Sequence, residues 1–191
     1  MARWEPGARE RIVVAALELF VEQGYDDTTV AQIAERAGLT KSTFFRHFRD
    51  KRELLVAGQE TLSRLLAEGI AAAPAGASPL EAVAGGLRAA SGAMGPLNRQ
   101  LGPRLREAMA TNAELQERDA LKSVGMAAAM TAALVARGVP DPLAALAGEL
   151  GVLAFKRGYA EWSSGDGEKD ELATFTLAAL DELRAASAGL G

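Results

Sequence analysis

Between Thr29 and Phe48 the chain sets hydroxyl and basic side chains at spacings suited to gripping a polyanion. Thr40, Lys41, Ser42 and Thr43 open a helical segment, and Arg46, Arg49, Lys51 and Arg52 follow within nine residues. Hydroxyl, ammonium and guanidinium groups at the leading end of a helix can bond phosphate oxygens and base edges, so the pattern points to the major groove of duplex DNA. Residues 36–52 hold six basic residues against one acid, Asp50, while residues 1–57 balance at nine and nine. The positive charge is therefore concentrated where a groove would be met. Such a patch supplies the salt-sensitive, non-specific part of DNA affinity.

The elements that must hold these groups are legible from local signals. Thr29 and Gln32 form a capping box, and Val30, Ile33, Ala34 and Ala37 make an apolar stripe at helical spacing. Gly38 ends that helix because glycine takes a left-handed conformation at low cost. Leu39 is placed to plug the core, and Thr40 caps the next helix. Asp50 with Glu53 repeats the capping pattern for a helix from Lys51. Upstream, Ala8 to Gln23 is amphipathic, with Ile12, Ala15, Ala16, Leu19 and Phe20 on one face and Gly24 as its stop. Three helices in about fifty residues give a small domain whose expected core is Ile12, Leu19, Phe20, Val30, Ile33, Ala37, Leu39, Phe44 and Phe48.

Sustained alternation is absent and β-branched runs are few, so the chain reads as all-α: an N-terminal helix-turn-helix domain over residues 1–55 and a helical bundle over 56–191. One or two helices are expected from Lys51 to Ala73, then a loop from Pro74 to Pro79. Ser78, Pro79 and Glu81 start a helix that runs to about Ala93. Gly95-Pro96 and Gly102-Pro103 are expected to break the next stretch into short pieces. Long helices from Asn112 or Glu114 to Arg137 and from Asp141 to Trp162 follow. Gly165 to Gly167 reads as a turn, and a last helix covers roughly Glu168 to Ala186.

The Asp141–Trp162 segment is apolar on nearly every side. Leu143, Leu146, Leu150 and Leu153 form one face. Ala144, Ala147, Gly148, Gly151, Phe155, Gly158 and Trp162 form another. Interior glycine costs a helix about 1 kcal/mol relative to alanine, so a glycine face implies close backbone approach by another helix. The expectation is that the leucines pack inward and the small-residue face meets a second subunit, with Leu172, Phe175, Ala179 and Leu183 of the last helix completing the interface. An ordinary monomeric core is the competing reading.

Composition limits the alternatives. The net charge is −4, and it belongs to residues 58–191, where sixteen acids face twelve bases. That remainder should repel DNA, leaving the first third to touch it. With no cysteine and His47 as the single histidine, neither a metal site nor a nucleophilic triad has material, and no cofactor is expected. Lys41-Ser42 resembles the end of a phosphate-binding loop, but Glu35 and Thr40 stand where that motif needs glycine. Catalysis is not expected. Charged residues near the start argue against a signal peptide, and the longest apolar run, Met126 to Ala136, is short for a membrane span. A cytoplasmic protein without a membrane partner is expected. The second rival is an architectural protein binding any duplex, which would show no preference for one site.

Residues 9–55 closely resemble the DNA-binding domain of the tetracycline-repressor (TetR) family. The matching pieces are Ala16 to Phe20 (Ala-Leu-Glu-Leu-Phe), Gly24-Tyr25, Thr28 to Val30, Ile33-Ala34, Ala37-Gly38, Ser42-Thr43, His47-Phe48 and Lys51 to Leu55 (Lys-Arg-Glu-Leu-Leu). The resemblance covers about the first third of the chain. It implies a homodimeric helical regulator, most often a repressor that binds a palindromic operator and is released by a small ligand; an activator or a ligand-independent regulator is the alternative. By position, Thr29 would meet a phosphate, Lys41, Ser42 and Thr43 would face base edges or phosphates, and His47 and Lys51 would hold the DNA backbone. Phe45 is a departure, since the family usually has tyrosine there. Phenylalanine cannot donate to a phosphate, and the neighbouring Arg46 could replace that contact. A pocket for a small hydrophobic or amphipathic ligand is expected among the middle helices. Met94, Leu97, Met109, Met126, Met130, Phe155 and Tyr159 could line it, with Asn98, Arg104 and Asn112 as polar partners.

Overall fold

The computed structural model describes residues 7–56, 59–165 and 171–189. Among these it is helical, with no strand: α1 Ala8–Gln23, α2 Val30–Arg36, α3 Lys41–His47, α4 Glu53–Val56, α5 Gln59–Ala71, α6 Pro79–Ser91, α7 Pro96–Thr111, α8 Ala113–Ala136, α9 Asp141–Ser164 and α10 Leu172–Ala188. The chain forms two compact units. The first comprises Met1–Ala57 with Arg104–Arg118, and the second Gly58–Pro103 with Asp119–Gly191. Residues 104–118 thus join the first unit, although the sequence reading placed them in the second domain.

In the first unit α1, α2 and α3 enclose a core in which Ile12, Phe20, Ile33, Phe44 and Phe48 are fully buried. Val30 and Leu39, expected inside, are half-buried against it, and Tyr25 joins it. Leu115 is buried in the same cluster and Met109 packs on it. The added segment is also fastened at Asn112. Its Nδ2 donates to Asp26 Oδ2 at 3.4 Å, and its Oδ1 accepts the Leu115 N–H at 3.0 Å, capping α8.

In the second unit α5 and α6 cross at almost backbone contact: a Cβ on Gly69 would lie 2.5 Å from Gly85 O. α6 begins as the sequence predicts. Ser78 N–H donates to Glu81 Oε2 at 2.7 Å and the Ser78 hydroxyl accepts the Glu81 N–H. Donation from the Ser78 N–H, with the Ser78 hydroxyl beside it, holds the Glu81 carboxyl below its usual range. Arg137 donates to the carbonyls of Ala71, Ala73 and Pro74, closing the C-terminal end of α5.

Two expectations are corrected. α7 is one continuous helix with Pro103 inside it, not short pieces. Gly102 serves packing rather than interruption, since a Cβ there would lie 2.6 Å from Ser163 Cβ. The burial of the two faces of α9 is also the reverse of that expected. The small-residue face is used within the chain: a Cβ on Gly148 would meet Thr131 Oγ1 at 2.7 Å, one on Gly151 would meet Met130 and Val83 at 2.8 Å, and one on Gly158 would meet Thr176 N at 2.5 Å. Ala144, Ala147, Phe155 and Trp162 are buried in the same core with Leu172, Ala179 and Leu183, and Phe175 packs against it. The glycines do mark close helix approach, but the approaching helices belong to the same chain. Leu143, Leu146 and Leu153 are the exposed residues, Leu146 at 56%.

By length and composition α8 could cross a bilayer over Leu115–Ala136, mean hydropathy 1.3, a span the sequence reading did not pick out. In this fold it supplies Met126, Met130 and Leu134 to the second core. The expected helix start at Glu168 and most of the turn at Gly165–Gly167 lie outside the described residues, as do the side chains of Leu97 and Arg104.

Candidate nucleic-acid interface

The geometry of α3 follows from its caps. The Thr29 hydroxyl accepts the Gln32 N–H at 3.3 Å while the Gln32 amide oxygen accepts from Thr29 N–H at 2.8 Å, fixing the start of α2. At its end Gly38 has φ +66°, which lets Leu39 N–H reach back to Ala34 O at 2.8 Å. That closure sets the turn into α3. There the Thr40 hydroxyl accepts the Thr43 N–H at 3.1 Å and lies 3.0 Å from the Thr43 hydroxyl. Phe44 and Phe48, both buried, anchor the other side of α3, and the Arg9 guanidinium lies 5.1 Å above the Phe48 ring.

One face of α3 is left over. Lys41, Ser42, Phe45 and Arg46 are all exposed, and positions i, i+1, i+4 and i+5 share a helix side. Phe45 is 56% exposed, a large apolar side chain on an otherwise polar surface, and sits edge-on to Phe44 with centroids 5.4 Å apart. Thr43 and His47 flank this face half-buried. The side chains of Lys41, Arg46 and Arg49 carry no ion pair among the described residues.

Two of the basic residues counted in the sequence do other work. Arg36 grips Glu22 with both terminal nitrogens, at 2.8 and 2.6 Å, and reaches Glu18 at 3.5 Å. The Glu22 bonds raise its pKa above the ordinary arginine value. This cation locks α2 to α1. Lys51, assigned by resemblance to the DNA backbone, donates instead to Tyr25 O at 2.7 Å and to Asp26 O and Thr28 O at 3.2 Å. An ammonium has three N–H donors, and all three are engaged. Its Nζ also sits 4.2 Å from the Tyr25 ring centroid. Lys51 is a clamp on the α1–α2 connection, which sequence spacing could not reveal because its acceptors lie more than twenty residues away.

The α3 face predicts the effect of restoring the family's tyrosine. Phe45→Tyr is expected to tighten duplex binding about tenfold or more, the worth of an added hydrogen bond to a charged phosphate. Fluorescence anisotropy on a footprinted duplex checks it.

Most of the residues expected to line a ligand pocket lie in or against the second core. Met126, Met130 and Phe155 are buried in the second core, and Met109 belongs with the first unit. Tyr159 stacks on Phe155 and donates to Asn98 O at 2.7 Å, while Asn98 Oδ1 accepts the Gly95 N–H. Of the expected residues whose side chains are described, Met94 alone lines a cavity in the second unit. No cluster of His, Cys, Asp and Glu able to hold a metal occurs among the described residues.

Residues 12–57 match the model for bacterial regulatory proteins of the tetR family. Over 84 residues the chain is 40% identical to the HTH-type transcriptional regulator TcmR of Streptomyces glaucescens, a match covering 44% of this chain and 37% of that protein. Two solved structures share the fold across most of the chain. The transcriptional regulator FadR from Bacillus subtilis, in complex with stearoyl-CoA, has a TM-score of 0.59 at 21% identity over 91% of this chain and 96% of its own. SmeT of Stenotrophomonas maltophilia, in complex with triclosan, also has a TM-score of 0.59 at 21% identity, over 95% of this chain and 91% of its own.

Proposed function

From its membership of the TetR family of DNA-binding transcriptional regulators, we infer that this chain is a repressor that binds a palindromic operator as a homodimer and lets go when a small molecule binds its second unit. The observation that carries the reading is the outward face of α3, where Lys41, Ser42, Phe45 and Arg46 stand together on a helix fixed from behind by Phe44 and Phe48. One such face reads few bases. Two related by a twofold axis read half-sites about 34–36 Å apart or a multiple of that.

The pairing surface is the leucine face of α9. Leu143, Leu146, Leu150 and Leu153 recur at intervals of three, four and three, the spacing of a coiled-coil seam, and three of the four are exposed. Exposed leucines at that spacing favour a second copy as the partner. Ligand release requires that the ligand bind one arrangement of the dimer better than the other. Residues 104–118 give that arrangement a covalent route into the reading head, since both ends of the segment continue into the second unit while Met109 and Leu115 belong to the first core. The protein is assigned to the cytoplasm, where its DNA would be.

A footprint on the DNA upstream of its own gene, with scrambled competitor and a salt series, tests the reading. A protected palindrome retained against competitor is expected. Equal retention of every duplex would assign the protein to non-specific binding instead.

A further inference from the structure

The second unit holds a half-open cavity of about 770 Å³, bounded by the ends of α6 and α9, the first turns of α7 and the start of α10. That volume is within the usual range for small-molecule sites. Its lining divides by chemistry. Met94, Trp162 and Leu172 supply apolar surface, while Arg88 and Arg99 bring two guanidinium groups to the same space. Arg99 is already oriented. Its Nη2 donates to Gly165 O at 2.8 Å and its guanidinium carbon lies 5.6 Å from the Trp162 ring centroid. A guanidinium has five N–H donors, so most of those on Arg99 have no partner among the described residues. Arg88, one turn from the end of α6, is exposed, and its side chain has neither hydrogen bond nor ion pair among the described residues. Glu171 is the single carboxylate among the described lining residues.

The setting makes this pair selective. Residues 58–191 carry sixteen acids against twelve bases, so the unit as a whole disfavours anions. Two arginines beside one aromatic floor reverse that locally. A planar, weakly hydrated guanidinium held on an indole is also the cation best suited to a forked carboxylate, sulfonate or phosphate.

We propose that this cavity binds an organic anion, with Arg88 and Arg99 holding the charged group and Met94, Trp162 and Leu172 covering an aromatic or aliphatic body. The inference rests on the ligand-released reading above and names the chemical class of the ligand. It assigns Arg88 to the anion alone and gives Arg99 a second task, since Arg99 also joins α7 to the end of α9.

Titration calorimetry on the full chain with 2-naphthoate, 2-naphthamide and 2-naphthylmethylammonium tests it, because the three share a body and differ in charge. Naphthoate is expected to bind at least about tenfold more tightly than the amide, with the ammonium weakest. In Arg88→Gln that advantage should shrink at least about fivefold, and in Arg88→Glu the ammonium should overtake naphthoate, with unchanged thermal midpoints. Equal binding of acid and amide, tighter binding of the ammonium to the unsubstituted chain, or no saturable naphthoate binding would each overturn the proposal. The same ligands are then added to the protein–operator complex. Naphthoate that binds through Arg88 without loosening DNA supports the anion site and counts against ligand release. A neutral or cationic compound that loosens DNA equally from the Arg88→Glu variant supports ligand release and counts against the anion site.

Discussion

Glutamate at both Leu146 and Leu153 is expected to leave the protein monomeric at micromolar concentration and to remove its hold on a palindromic operator. Both side chains are exposed on α9, 56% and 41%, so neither is needed to fill the core beneath. Helical content should therefore survive. Burying a leucine contributes about 1.5–3 kcal/mol, and a twofold interface would lose four of them. Only about half of each side chain is still exposed, so even at the lower bound the loss is about 3 kcal/mol, which weakens dimerisation about a hundredfold or more. Four carboxylates brought to one seam repel one another in addition. Sedimentation velocity reads the monomer, circular dichroism reads the helices, and anisotropy reads the lost operator. A dimer that survives both substitutions would move the partner elsewhere. Had the small-residue face been the interface, bulk at Gly148 would have separated two folded subunits. Here it would press on Thr131 and Ala127 of the same chain and disturb the fold itself.

The contrast between those faces shows which parts of this molecule were legible before the structure. Helix ends were, because a cap is a local object. Thr29 with Gln32, Thr40 with Thr43, and Ser78 with Glu81 are each within three residues, and Gly38 announces its own backbone. Periodicity also identified two apolar faces on α9. It could not say which is covered by the chain itself, since that depends on Thr131, Met130 and Thr176, contributed by α8 and α10. The same limit hid Met109 and Leu115 in the first core, and Pro103 read as a break although α7 continues through it. Met126 and Met130, read as pocket lining, lie in the core for the same reason. Met130 fills the space that Gly151 leaves open. Arg88 and Arg99 gave no sequence signal, because they lie eleven residues apart on separate helices.

Lys51→Met is expected to destabilise the reading head by about 2–3 kcal/mol while leaving the salt dependence of DNA binding unchanged. A hydrogen bond from a charged donor contributes about 1.5–3 kcal/mol. Three such bonds end at Tyr25, Asp26 and Thr28, but two of these carbonyls are part-buried and one is exposed, so water recovers some of the loss. Methionine keeps most of the apolar stem, which confines the change to the ammonium. Thr28 directly precedes the Thr29 cap, so loosening this connection misplaces the start of α2 and with it the turn into α3. Operator affinity should fall through that misplacement. A lost phosphate contact behaves otherwise, lowering the slope of log affinity against log salt by about 0.9 per contact, or about 1.8 for a dimer. Arg46→Ala is expected to behave in that second way, with an unchanged thermal midpoint, because its side chain is exposed and unpaired among the described residues. Thermal melts and a salt series on both variants separate the two roles. A Lys51→Met protein of undiminished stability and shallower salt slope would return Lys51 to the DNA backbone, where the resemblance first placed it.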